Sequence, residues 1–322
     1  SDSARVQELK ENLSPFFIRI KKNDLGLPPI KEKIITIDME PYQREIYDFI
    51  EAQYIPEFKE NDSATVKDIL NKAKLIRLRQ ASTNPALLSK TLVNSLESNL
   101  LSGEFDPNSV FTTYNEEFVN DSEFFKKICD YTLFETPQKF VEILSLIKNE
   151  ILPNNGKVII WTIFIQNAKE LQAYLKDSNI ESKLLIGEIN QQEREQTIED
   201  FNDPNNSEFK VVIANPFSVA ESISLHKGCH NAIYLERDYN ASNFLQSKDR
   251  IHRVGLEENQ VTNYYYLISR NSIDEVINSR LNDKIERMEN IINDDIPLFK
   301  RINGNDESDI IKDLIRNYAE RS

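Results

Sequence analysis

The chain has 322 residues, with 39 basic and 53 acidic side chains and a formal net charge of −14. That length can bury one large core, or one core with a helical appendage. Two cysteines, Cys129 and Cys229, exclude a disulfide framework or a cysteine-rich zinc set, no apolar run nears a membrane span, and Ser1 opens no signal peptide. The acidic balance means that contact with a phosphate polymer would need a local basic face.

Residues 1–33 read as a linker arriving from elsewhere, ending at Pro28-Pro29. Ile34 to Asp38 alternates as a short strand, and Pro41 opens a helix as a first-turn proline does. Over Ser63 to Gln80 the apolar residues Val66, Ile69, Leu70, Ala73 and Ile76 fall three and four apart, which predicts a helix. From Thr91 to Phe125 there is no lysine or arginine while glutamate and aspartate accumulate, an acidic insertion or solvated excursion. Residues 34–137 are thus expected to form an edge strand with a helical and acidic insertion.

Beyond Gln138, helices and strands alternate. Helices are predicted over Gln138–Glu150, Ile165–Lys176, Gln191–Phe201 and Ile273–Ile292. Strands are predicted over Lys157–Trp161, Lys183–Ile186, Lys210–Ala214, Ala232–Leu235 and Val261–Ile268. Apolar runs separated by amphipathic helices mean an α/β fold, a parallel sheet covered on both faces, here over residues 138–300. Residues 301–322 hold a last helix, Asp306 to Tyr318, whose Ile310, Ile311, Leu314 and Ile315 would dock on the lobe or else bind a partner, docking being the simpler expectation. Ligands of such sheets bind at the carboxyl ends of strands, where every candidate motif is expected to fall.

The ten residues Gln246 to Gly255, QSKDRIHRVG, carry the most chemistry. Arg250 and Arg253 follow Gln246 by four and seven positions, and Ser242 stands where an N-cap would. A helix from Ser242 to Arg253 would set all three side chains on one face. Two planar guanidiniums on one face suit phosphoryl transfer, in which charge spreads over phosphate oxygens. Taken alone, Arg-x-x-Arg is more simply a solvated or salt-bridged pair. The apolar run Ala232 to Leu235 and the loop Glu236 to Ala241 just upstream favour the chemical reading.

That strand, loop and arginine-bearing helix resemble the sixth motif of superfamily-two helicases and translocases. The spacing Gln246, Asp249, Arg250, His252, Arg253, Gly255 is most similar to the Swi/Snf-type branch. Other segments resemble it in the right order. Leu13 to Arg19 with Leu27-Pro28-Pro29 resembles the bridge between two lobes, and Leu78-Arg79-Gln80 with Asn84-Pro85 resembles the LRQ…NP segment. Lys157 to Phe164 looks like motif four, Gly187, Arg194, Ile198 and Phe201 match the next loop and helix, and Asn215 to Leu225 occupies motif five. The phosphate-cradling G-x-x-x-x-G-K-[ST] loop is missing, because the single Gly-Lys pair, Gly156-Lys157, is followed by valine.

The resemblance therefore implies a RecA-like C-terminal lobe of an ATP-dependent DNA translocase, cytoplasmic or nucleoid-associated. Its own N-terminal lobe would hold most of ATP and Mg²⁺, and this chain alone is not expected to hydrolyse ATP. Arg250 and Arg253 would reach the γ-phosphate with Gln246 orienting them, and Glu221 and Gly255 would lie on the nucleotide side. Double-stranded DNA would be met by Thr162, Asn215 and Ser218 at neighbouring strand ends, with Lys227 adding one charge. A strand-separating RNA or DNA helicase and a non-catalytic scaffold that kept the fold are the alternatives. In motif five, valine, alanine and serine stand where the family has glycines, so a positive φ there is costly.

Trp161 reads as core, and Asn167 as a cap of the helix that follows. His226, Cys229 and His230 lack a fourth ligand nearby for a metal. His252 reads as a packing or hydrogen-bonding histidine.

Overall fold

The computed structural model describes residues 25–59, 65–89, 122–205, 208–217, 223–293 and 306–321. The bridge motif at Leu13 to Arg19, most of the acidic stretch, Ser218 and Glu221 lie outside them. Six parallel strands form one sheet in the order β1-β6-β5-β2-β4-β3. These are β1 (Ile30–Ile37), β2 (Val158–Trp161), β3 (Ser182–Leu185), β4 (Val211–Ala214), β5 (Asn231–Tyr234) and β6 (Thr262–Ser269). The helices are α1 (Pro41–Lys59), α2 (Thr65–Thr83), α3 (Ser122–Phe134), α4 (Gln138–Leu146), α5 (Ile165–Asp177) and α6 (Gln191–Asn202). They continue with α7 (Ala241–Lys248), α8 (Ile273–Asn293) and α9 (Asp306–Arg321). A 3₁₀ turn spans Pro85–Ser89, and α4 runs on through a π turn, Ile147–Ile151.

The strand sequences explain the three layers. Every residue of Val158-Ile159-Ile160-Trp161 and of Val211-Val212-Ile213-Ala214 is buried. Alternate residues go to opposite faces. Val158, Ile160, Val211, Ile213 and Ile233 pack with α4 and α5 on one face. Ile159, Trp161, Val212, Ala214 and Tyr234 pack with Phe201 of α6, Phe244 of α7 and Leu281 of α8 on the other. Burying each such side chain contributes roughly 1.5–3 kcal/mol. A third cluster joins α1, α2, α3 and α9 to the start of α8, where Ile310, Ile311 and Leu314 of α9 dock as expected.

Strand β1 is longer than its alternation suggests. It pairs with β6 from Ile30↔Thr262 to Ile37↔Ser269, at the edge of the sheet. Its first five residues are exposed, so the pattern that marks a core strand is absent there.

Helix α2 and the Pro85–Ser89 turn cover the carboxyl end of β2. Ala73, Ile76 and Leu87 pack on Ile163 and Phe164, the residues that leave the strand. Lys139 of α4 is buried below. Its Nζ donates to Thr83 Oγ1 (3.2 Å), the Leu235 carbonyl (2.9 Å) and Asp274 Oδ2 (2.6 Å). Each donor on this buried cation therefore meets an acceptor, as burial of a charge requires.

Candidate functional site

After β5 the chain crosses a loop, Leu235 to Asn240, whose charged residues are buried. The Glu236 carboxylate accepts from the Ile163 amide (3.1 Å) and Asn167 Nδ2 (2.7 Å). Asn167 Oδ1 in turn accepts from Asn84 Nδ2 (3.1 Å), so the Asn84-Pro85 corner, α5 and this loop share one network. Burial pushes the Glu236 carboxyl above the usual range, against the pull of the Lys139 charge and these hydrogen bonds. Arg79 Nη2 donates to the Arg237 carbonyl (3.1 Å), and the Arg237 guanidinium lies over Phe244 and Tyr266.

Helix α7 starts one residue before the span predicted for it and stops five residues short of that span's end. Asn240, not Ser242, is the N-cap, its side chain accepting from Asn243 N (3.2 Å). The helix ends at Lys248, where the Tyr264 hydroxyl donates to the Lys248 carbonyl (2.9 Å) and satisfies a group that a further turn would have used. Arg250 and Arg253 therefore stand on a turn beyond the helix that carries Gln246, not on its face.

That turn is tied to the residues before β5. Leu225 N donates to the Arg250 carbonyl (2.9 Å), and Arg250 Nη1 donates back to the Ile223 carbonyl (3.2 Å). Gln246 and Arg253 are exposed and Arg250 is half-buried. Burial and then the neighbouring Arg253 charge lower the pKa of Arg250. Burial, Arg253 and Lys227 lower that of His226, whose Nδ1 meets Ser224 Oγ at 2.6 Å. Gly255 has φ +106°, and a Cβ there would stand 3.3 Å from His226 Nε2. Both facts call for glycine at this position.

The turn also lies at the other edge of the sheet from the one expected. His252 Nε2 donates to the Pro28 carbonyl (2.8 Å), just ahead of β1, and Thr262 N, the first residue of β6, donates to the Pro29 carbonyl (3.2 Å). These are amino ends of strands. Helix α7 runs back across the sheet and carries the arginines there. Lys227 is exposed on the same edge, beside Gly156, Asn231 and Gln260.

At the carboxyl ends, Thr162 and Asn215 do not offer polar groups to a surface ligand. Thr162 is fully buried, and its hydroxyl faces no solvent. Asn215 is 4% exposed, and its side chain donates to the Ile163 carbonyl (2.8 Å) and accepts from Phe217 N (2.9 Å). Both fix the loop after β2, under the cover of α2. Asn167 is buried in the Glu236 network, and Phe164 holds the cap position of α5. Trp161 is core. Cys229 is buried with its thiol on backbone carbonyls and pushed up to about 12 by burial.

Sequence reasoning passed over Glu236, Arg237, Lys139 and Asn84 as site-forming residues. Charged residues read from sequence are assigned to solvent, and what could have marked these four is their place beside the LRQ…NP segment and the post-β5 loop.

Known proteins match this chain along its length. Residues 138–255 match the family described as helicase conserved C-terminal domain, and residues 1–87 match the SNF2-related domain. The second match takes in β1 and α1, which pack on this lobe. The ATP-dependent helicase fft1 of Schizosaccharomyces pombe is 27% identical over 316 residues, covering 93% of this chain and 32% of its own. The chain thus spans about a third of the length of that relative. The C-terminal part of the Fun30 ATPase domain superposes with a TM-score of 0.60 at 21% identity, over 92% of this chain and 99% of that one. The Sulfolobus solfataricus SWI2/SNF2 ATPase core in complex with dsDNA superposes with a TM-score of 0.58 at 21% identity, over 97% and 55%. Strand order, motif order and both family matches agree: the chain carries a helicase conserved C-terminal domain and an SNF2-related segment, on the parallel sheet of a RecA-like C-terminal lobe.

Proposed function

We propose that this lobe completes the ATPase site of a DNA translocase and that the turn from Asp249 to Gly255 is its catalytic edge. The observation that carries the reading is a gathering of like charges. In a chain of net charge −14, Arg253 stands close enough to Arg250 and His226 to disfavour charge on both, with Asp249 opposing this at Arg250, and Lys227 adds to the group at His226. Guanidiniums so placed are relieved by a shared anion, and their planar forks suit phosphate oxygens. Arg250 and Arg253 hold the terminal phosphate of ATP, whose cleavage supplies the free energy for movement. Gln246, exposed at the end of α7, orients them, and Gly255 keeps the backbone close.

Most contacts to ATP and to Mg²⁺ belong to an N-terminal lobe that faces this edge. Their places in motif five assign Glu221 to the nucleotide and Ser218 to the DNA. Duplex DNA is the polymer this reading takes, in line with the dsDNA complex of the Sulfolobus relative. Thr162 and Asn215 shape the loop after β2 without touching it.

In the protein that carries both lobes, Arg250→Ala and Arg253→Ala each reduce turnover on the order of 10³-fold while ATP affinity changes little. Near-normal turnover in both variants refutes the reading.

A further inference from the structure

We infer that His252 is a positioning residue that fastens the arginine turn to the segment entering β1. On the reading above this segment is the connection to the first lobe, and through His252 it sets where Arg250 and Arg253 stand. His252 lies between the two arginines in sequence and is 7% exposed. Its Nε2–H donates to the Pro28 carbonyl, 224 residues away in the chain, at 2.8 Å. Backbone bonds to α7 run out at Ile251, whose amide donates to the Lys248 carbonyl (3.3 Å), so from His252 onward contacts with other segments set the pose of the turn.

A second pin lies one turn back. Lys248, the last residue of α7, reaches Glu32 of β1 at 2.5 Å, and the Tyr266 hydroxyl donates to the same Glu32 oxygen. The Lys248 ammonium also lies 4.8 Å from the centre of the Tyr264 ring. Both pins therefore end on residues 28–32. Pro28 and Pro29 have fixed φ and pass a displacement along the chain instead of absorbing it. Gly26, with φ +59° and open space where a Cβ would stand, marks where that stiff stretch begins. A shift of the incoming segment is delivered through the Pro28 carbonyl and Glu32 to both sides of Arg250 and to the residue next to Arg253.

The test uses the protein with both lobes and measures ATP turnover per nucleotide-binding molecule, so that loss of folded material does not count. His252→Leu keeps the volume and removes the donor. It lowers kcat by about tenfold or more while KM for ATP stays within about threefold. His252→Gln, whose amide can reach the same carbonyl, recovers most of that loss. Should His252→Leu fail to fold, the reversal cycle Glu32→Lys, Lys248→Glu and the double variant gives the answer: each single lowers kcat, and the pair together restores it. Unchanged kcat in His252→Leu, or a double variant no better than the singles, overturns the inference. Loss of turnover in Arg250→Ala with His252→Leu unaffected removes the inference alone, whereas normal turnover in both arginine variants removes the reading beneath it.

Discussion

The guanidinium of Arg237 lies 4.3 Å from the centre of the Tyr266 ring. Phe244 faces it at 4.4 Å, and Nη1 donates to Asn278 and Asn282 of α8. A buried cation joins α7 to β6 and α8 through aromatic faces and amides, and burial lowers its pKa below the usual arginine value.

Replacing Arg237 with lysine keeps the charge but loses the planar stack and the fork that spans two asparagines. The expected cost is about 2 kcal/mol, taken from the range for desolvated cation–π contacts. Urea unfolding of this chain measures it, and a change below about 0.5 kcal/mol would show that the stack contributes little.

Gly255→Ala places a methyl group 3.3 Å from His226 Nε2 at a backbone φ of +106°. Strain of about 1–3 kcal/mol follows, confined to the turn. Its signature is local: the Leu225 amide, hydrogen-bonded to Arg250, exchanges with solvent about tenfold faster or more, while core amides of β2 and β4 keep their protection. Uniform loss of protection would show the glycine to matter for the whole lobe.

The Glu236 carboxyl is harder to ionise folded than unfolded. Its contribution to stability is fully present below the unfolded carboxylate pKa and is lost as pH rises through the higher folded value. Glu236→Gln has no such term. The stability of the natural chain relative to this variant should therefore fall as pH rises from about 4 towards neutrality, using the ordinary glutamate value near ~4.3 as the starting point. Paired denaturant titrations across that window decide it. The opposite slope would mean that the bonds from Ile163 and Asn167 outweigh desolvation.

With Thr162 and Asn215 turned inward, this chain alone should bind duplex DNA weakly, at or beyond the non-specific range of ~10⁻⁴ to 10⁻⁶ M. Few ion pairs also mean a shallow dependence of log K on log salt, with a slope of magnitude ~1 to 3. Fluorescence anisotropy against salt concentration measures both. Nanomolar binding with a steep slope would reveal a basic surface that the described residues do not present.

Strands β2 and β4 could be read directly, because burial on both faces leaves uninterrupted runs such as VIIW and VVIA. The front of β1 was hidden, since exposed residues on an edge strand carry no core pattern. The arginine motif was visible as spacing, but its geometry was not. Where α7 ends, the Lys248 carbonyl accepts from the hydroxyl of Tyr264, sixteen residues on, a partner that helix periodicity does not contain. Thr162 stood next to a strand end as expected, yet Ala73, Ile76 and Leu87 from a distant segment close over its loop. Glu236 and Arg237 look like solvent charges until the fold supplies Asn167, Phe244 and Tyr266.

Ile30 and Thr262, the first paired residues of β1 and β6, are roughly 230 positions apart, and β6 is the neighbour on which β1 lies in the sheet. On a ribosome adding about 5–20 residues per second, β1 emerges some ten to fifty seconds before that partner exists. For that interval the nascent chain carries a strand with nothing to pair against. The polar side chains along its outer half, Lys31, Glu32 and Lys33, are the kind of charge that keeps an orphan strand from recruiting a stranger.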